Sequence, residues 1–178
     1  PEAYEADVAM TLNNLANLYY KTQRFGKAEA YYMRALEIRE RLAKAHPEAY
    51  DADVTMTLNN LAVLYYNTQR FDKTEEYYLQ VLEIQERLTK AHPEVYGQDY
   101  ARCLHNASYF SLLVQKFAQV EEYSLEALKW SDNVGIYTNL AAAILLQGRF
   151  EDAKEIYLRY KDEKKESFLS DFQALKDN

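Results

Sequence analysis

Turn-forming residues are scarce in this 178-residue chain, which has four glycines and three prolines. That scarcity excludes a fold assembled from hairpins or many short strands. There is one cysteine, Cys103. A single thiol excludes an internal disulfide and any CxxC metal pattern, and favours a reducing compartment. With no fixed partner beside it, Cys103 is expected as a small buried residue rather than a nucleophile. No apolar run approaches the ~18 residues of a membrane span, and no secretory leader is legible. Basic charge is also short, with 21 Lys and Arg against 28 Asp and Glu and a net charge of −7. The cations are scattered among glutamates, so the clustered basic surface that nucleic acid requires is not expected. Phosphate loops, zinc motifs and nucleophile elbows are missing from the sequence. Neither catalysis nor a cofactor is therefore expected. The chain starts at Pro1, which suggests a fragment of a longer protein, and its expected location is the cytoplasm.

What is present is apolar residue, 48% of the chain and enough for a core, set among good helix formers. The order of those residues repeats. Pro1-Glu2-Ala3-Tyr4 returns as Pro47-Glu48-Ala49-Tyr50 and as Pro93-Glu94-Val95-Tyr96. Residues 1–46 and 47–92 match at 34 of 46 positions. A third copy is legible at Leu104-His105-Asn106-Ala107-Ser108 and a fourth at Tyr137-Thr138-Asn139-Leu140-Ala141. Between Asn106 and Asn139 the offset falls from 46 to 33, and the loss lies between the second helix of copy three and the first helix of copy four.

Each copy reads as two helices. In copy one Leu12, Leu15, Ala16 and Tyr19 follow the i, i+3, i+4, i+7 spacing of an amphipathic helix. Ala28, Tyr31, Tyr32, Ala35, Ile38 and Leu42 form a broader stripe that suits burial against two neighbours. Thr22 to Phe25 makes the short antiparallel connection. Pro47 and Pro93 punctuate the links between copies, and the first helix of copy two could start at Pro47 or at Asp53. The glutamate pairs Glu75-Glu76 and Glu121-Glu122 read as solvated faces, and Trp130 reads as core on the buried face of its helix.

Leu-Asn-Asn-Leu-Ala, then Tyr-Tyr, Arg-Phe, Ala-Glu, Tyr-Tyr and Ala-Leu-Glu-Ile, in that order, resemble the tetratricopeptide repeat, a helix–turn–helix of ~34 residues. The longer copies look like the variety found in kinesin-light-chain-like proteins. The resemblance covers residues 5–163. It implies an all-α fold, a right-handed superhelical solenoid of antiparallel helix pairs. The repeats would fall at about 1–46, 47–92, 93–133 and 134–163, with a C-terminal capping helix over 164–178 carrying Phe168, Leu169, Phe172 and Leu175. It also implies close helix contact at Ala16, Ala28, Ala35, Ala62, Ala127, Ala141 and Ala153. Tyr19, Phe25, Tyr32, Tyr65, Phe71, Tyr78, Phe117, Phe150 and Tyr157 would fill the gaps between. Thr74, Val81, Ser111 and Tyr160 depart from the family pattern. The first repeat has no cap of its own, which suggests upstream repeats in the full-length protein and leaves this fragment a bare apolar end that could drive self-association.

In the family the first helices line the concave groove. In copy one the arc opposite the apolar stripe holds Asn13, Asn14, Asn17, Tyr20 and Lys21, with Met10 beside them. In copy two the arc holds Asn59, Asn60, Val63, Tyr66 and Asn67, with Met56. Copy three supplies Arg102, His105, Asn106 and Tyr109, and copy four Asn139 with Thr138 and Ala142. Asn14, Asn60, Asn106 and Asn139 recur at one register, and each carboxamide offers a donor and an acceptor. The resemblance implies a column that grips the backbone of an extended peptide, so the expected partner is a protein or peptide. A competing reading is that these amides are soluble surface or brace the neighbouring repeat. The family's clamp for chaperone carboxylates is not expected, because asparagines stand where it carries Lys and Arg.

Overall fold

The structure is a computed structural model that describes residues 2–160. The helix expected over 164–178 lies outside the described residues. Among the described residues there are eight helices and no strand. They are α1 (Glu2–Lys21), α2 (Phe25–Ala45), α3 (Pro47–Asn67), α4 (Phe71–Ala91), α5 (Pro93–Leu113), α6 (Phe117–Ala127), α7 (Val134–Leu146) and α8 (Phe150–Tyr160). The chain divides into two compact units, Pro1–Tyr96 and Gly97–Asn178.

In the first unit α1 packs on α2, α2 on α3, and α3 on α4. The helices start at the prolines, which settles the choice between Pro47 and Asp53. Pro47 occupies the first helical turn, where its missing N–H would have had no intrahelical partner. The link between α2 and α3 shrinks to His46, whose N–H donates to the Leu42 carbonyl at 2.9 Å.

The turns inside each pair share one construction. Arg24 N–H donates to Tyr19 O at 2.8 Å and Gln23 N–H to Tyr20 O at 2.9 Å, closing a Schellman motif. The same two bonds recur at Arg70–Tyr65 with Gln69–Tyr66, at Lys116–Ser111 with Gln115–Leu112, and at Arg149–Ile144 with Gly148–Leu145. The motif needs a left-handed residue, supplied by Gln23 (φ 58°), Gln69 (φ 57°), Gln115 (φ 60°) and Gly148 (φ 78°).

All seven alanines expected at close contacts are buried, none more than 1% exposed. Thr74, Val81 and Ser111, the departures from the family pattern, are buried as well. Ser111 accompanies a second small polar residue, Ser108, whose hydroxyl bonds that of Ser124 across α5 and α6 at 2.8 Å. The aromatic positions divide. Tyr32, Tyr65 and Tyr78 are buried, whereas Phe71 and Phe150 are 43% and 66% exposed at the first residues of their helices. Those two do not fill gaps in the packing, whereas Phe25 and Phe117 at the equivalent position are half-buried.

In the second unit α6 packs on α7 and α7 on α8. Helix α6 has 11 residues where α2 and α4 have 21 and α7 has 13 where α3 and α5 have 21, a shortening that the longer link over 128–133 only partly offsets, and together these reduce the offset. Helix α7 is capped by Asn133, whose side chain accepts from Gly135 N–H at 2.8 Å. Leu140, Ile144 and Ala153 form a buried cluster with Leu128, Leu145, Ile156 and Tyr157 against it. Trp130 stands beyond the end of α6, in a turn, and is half-buried. It is therefore not core on a helix face. Its ring lies over Gly97 of α5, so close that a Cβ there would meet the ring at 2.7 Å. Cys103 is buried.

Candidate functional site

In the first unit the groove arc combines free and engaged groups. Asn14 and Lys21 are exposed, as is Val63. Asn13 is buried and accepts a hydrogen bond from the Asn60 amide at 3.2 Å, which ties α3 to α1. Asn67 repeats the tie one face further along, donating to the Tyr20 hydroxyl at 2.8 Å and to the Val63 carbonyl. Asn17 accepts from the Tyr32 hydroxyl of α2. Burial pushes the Tyr32 phenol up to about 12, so it remains a donor at any physiological pH. The rings of Tyr20 and Tyr66 rest on Phe25 and Phe71, at centroid distances of 5.8 and 6.1 Å. Asn59 and Tyr66 are half-buried.

In the second unit Asn139 is buried. Its amide donates to His105 Nδ1 at 3.3 Å and lies 3.5 Å from both the His105 carbonyl and the Ser108 hydroxyl. This bond makes Nδ1 of His105 the acceptor, and burial holds its imidazole below the ordinary histidine range. Arg102 is exposed and pairs with Asp99 at 2.8 Å. Asn106 is half-buried, and Tyr109 is 51% exposed. A shallow pocket of about 280 Å³ opens between Arg102, His105 and the start of α7.

Two members of the expected asparagine column, Asn60 and Asn139, thus reach the preceding first helix in the same way. Each bonds the residue one position before the earlier asparagine, Asn13 in one unit and His105 in the other. The Asn60 carboxamide spends one N–H on its tie and keeps a second N–H and its carbonyl, whereas the amide of buried Asn139 is surrounded by His105 and Ser108.

The sequence reading missed an ion pair that recurs between consecutive helix pairs. Arg70 holds Glu29 with two bonds of 3.0 and 2.8 Å, and the Tyr65 hydroxyl donates to the same carboxylate at 2.9 Å. The Arg70 bonds hold Glu29 below the usual carboxylate range. In the second unit Glu121 accepts from Arg149 and Gln147. Burial pushes its carboxyl up, and these bonds bring it down further than burial raises it. Glu121 is accordingly a structural acceptor and not a solvated face. The legible signal was the recurrence of Arg or Lys just before the Phe of each turn.

Residues 8–48 and 54–94 match the family described as tetratricopeptide repeat. Those residues carry two tetratricopeptide repeats. Such repeats generally mediate protein–protein interaction and generally serve as scaffolds without catalysis. Among solved structures, the crystal structure of BtubC (BKLC) from P. vanneervenii aligns with a TM-score of 0.71 at 22% identity, over 86% of this chain. This chain spans 62% of the length of that structure. A structure described as the functional characterization of Pseudomonas aeruginosa pilF aligns at 18% identity over 86% of this chain and 75% of its own, with a TM-score of 0.47. A comparison with curated proteins finds no match. Among the described residues no helix is long and apolar enough to cross a membrane.

Proposed function

We propose that the first helices of this chain bind an extended polypeptide, their carboxamides engaging its backbone. The observation that carries the reading is the mixture on that arc. Met10, Met56 and Val63 in the first unit and Tyr109 in the second are 51, 44, 37 and 51% exposed. In the first unit they accompany Asn14 and Asn67, and in the second Asn106, on a fold whose members generally bind proteins. Apolar side chains set among amides suit a ligand that presents backbone groups and small side chains together. Selectivity would come from the residues that vary between copies, Asn17 against Val63 and Lys21 against Asn67.

The ties made by Asn60 and Asn139 decide which variants test this. Replacing Asn60 would leave the buried Asn13 oxygen without its donor at a cost of about 1–3 kcal/mol, confusing folding with binding. Asn14→Ala and Tyr109→Ala alter exposed groups. Peptides selected from a random display library should bind the parent chain and lose at least ~1.4 kcal/mol, a tenfold change, to the double variant at unchanged melting temperature. Equal affinity for both chains would remove the groove from the account.

A further inference from the structure

We propose that the furrow between α2 and α4 is a docking site for a tryptophan of another protein, with a lysine or arginine beside that tryptophan in the partner's chain. The furrow measures about 600 Å³, and all of its walls lie inside the first unit. Ala43 of α2, Val54 and Leu58 of α3 and Ile84 of α4 make an apolar floor. The α3 residues that line it, Asp51, Val54 and Leu58, stand on the side of that helix opposite Met56, Asn60, Val63 and Asn67. The furrow is therefore separate from the arc proposed to receive an extended polypeptide.

The chain itself shows a ring on the corresponding floor. At the 46-residue offset Asp51 and Ile84 correspond to Gly97 and Trp130, and Gln80 and Glu83 to Glu126 and Lys129. In the first unit Arg87 donates to the buried Asp51 carboxylate at 2.6 Å. Arg41 and Glu5 make the same pair one copy earlier, at 3.1 Å. The third copy has a ring in place of the ion pair. The Trp130 indole lies on Gly97, and its Nε1–H donates to Glu126 at 3.3 Å. Lys129, the preceding residue, bonds the same carboxylate. Where the furrow stands open, the first unit has Glu83 and Ile84 instead of this Lys-Trp pair.

What surrounds the opening is complementary to the missing pair. Glu40 of α2 and Glu83 of α4 stand on its two sides. Burial and the neighbouring Glu37 hold the Glu40 carboxyl above its ordinary value, the mark of a carboxylate short of positive charge. The Gln80 amide donates to Glu76 at 3.4 Å, which leaves its carbonyl to accept from an indole N–H as Glu126 does. Asp51 carries the Cβ that Gly97 lacks, so an incoming ring lies on the Arg87 guanidinium, 60% exposed, and gains a cation–π contact there. A second copy of this chain cannot supply the ring, because the one tryptophan is already packed on Gly97.

The probe is the capped dipeptide acetyl-Lys-Trp-amide, titrated at millimolar concentration into the full chain, with the methyl signals of Val54 and Leu58 followed by NMR. Saturable shifts of those methyls are expected. Acetyl-Glu-Trp-amide and acetyl-Lys-Leu-amide should each bind at least about fivefold more weakly. Glu40→Gln should narrow the gap between the lysine and glutamate dipeptides, and Gln80→Ala should erase the advantage of tryptophan over 1-methyltryptophan. Asp51→Gly with Ile84→Trp builds the third copy's pair into the furrow and should abolish binding. The groove variant Asn14→Ala with Tyr109→Ala should bind the dipeptide normally, which separates this site from the groove. Methyls that stay unmoved by the dipeptide would overturn the proposal. So would shifts of equal strength from the leucine dipeptide, which mean a generic apolar contact, or equal affinity for the lysine and glutamate dipeptides.

Discussion

Gln23, Gln69 and Gln115 hold a left-handed backbone that costs an L residue roughly 1–2 kcal/mol, and only the fourth turn uses a glycine. Glutamine has no preference for that conformation, so the turns were legible as turns while their strain was not. Gln69→Gly should raise stability by up to about 1 kcal/mol, the relief of strain exceeding the extra chain entropy of glycine. Urea unfolding would show a higher midpoint at unchanged slope. His105 is the second residue with a measurable signature. Its folded pKa is lowered, so below an unfolded value of about 6.5 the unfolded chain binds more protons. Stability should therefore be full above pH ~6.5 and decline as pH falls toward the folded pKa. Asp99 and Arg102 line the same pocket. Thermal melts at pH 7.5 and 5.5 should show a larger drop for the parent chain than for His105→Gln.

Helices were the most legible level. Their 3.6-residue periodicity marked every pair, and the alanines expected at close contacts are all buried, at positions where copy two accommodates the somewhat larger Thr74 and Val81. Periodicity could not show where α6 ends. The Leu125, Ala127 and Leu128 pattern continues past the last helical residue, and so Trp130 was read as part of a helix that stops at Ala127. What anchors Trp130 is Gly97, a residue 33 positions earlier whose missing side chain admits the ring. Contacts at that separation leave no periodic trace. Gly97→Leu should expel the ring, and because the protein has one tryptophan the change reads directly as a red shift in emission. An unshifted spectrum would mean the ring is not packed on Gly97.

At the scale of the whole molecule, four copies of a helix pair use one set of joints, the Schellman turn inside each pair and the Glu–Arg tie between the two pairs of each unit. The groove was legible as an arc of asparagines. Their double use was not, because an exposed position and a tie to the neighbouring helix leave the same polar residue in the sequence. Asn60 and Asn139 brace the stack, while Asn14 stays open. The central claim is that the first helices receive a polypeptide. Its most direct test is NMR of the side-chain carboxamides, with a library-selected peptide titrated into the full chain. The account predicts saturable shifts of the Asn14, Asn67 and Asn106 carboxamide signals, with those of Gln80 and Gln119 on the second helices unmoved. Shifts confined to the second helices, with those three asparagines silent, would contradict it.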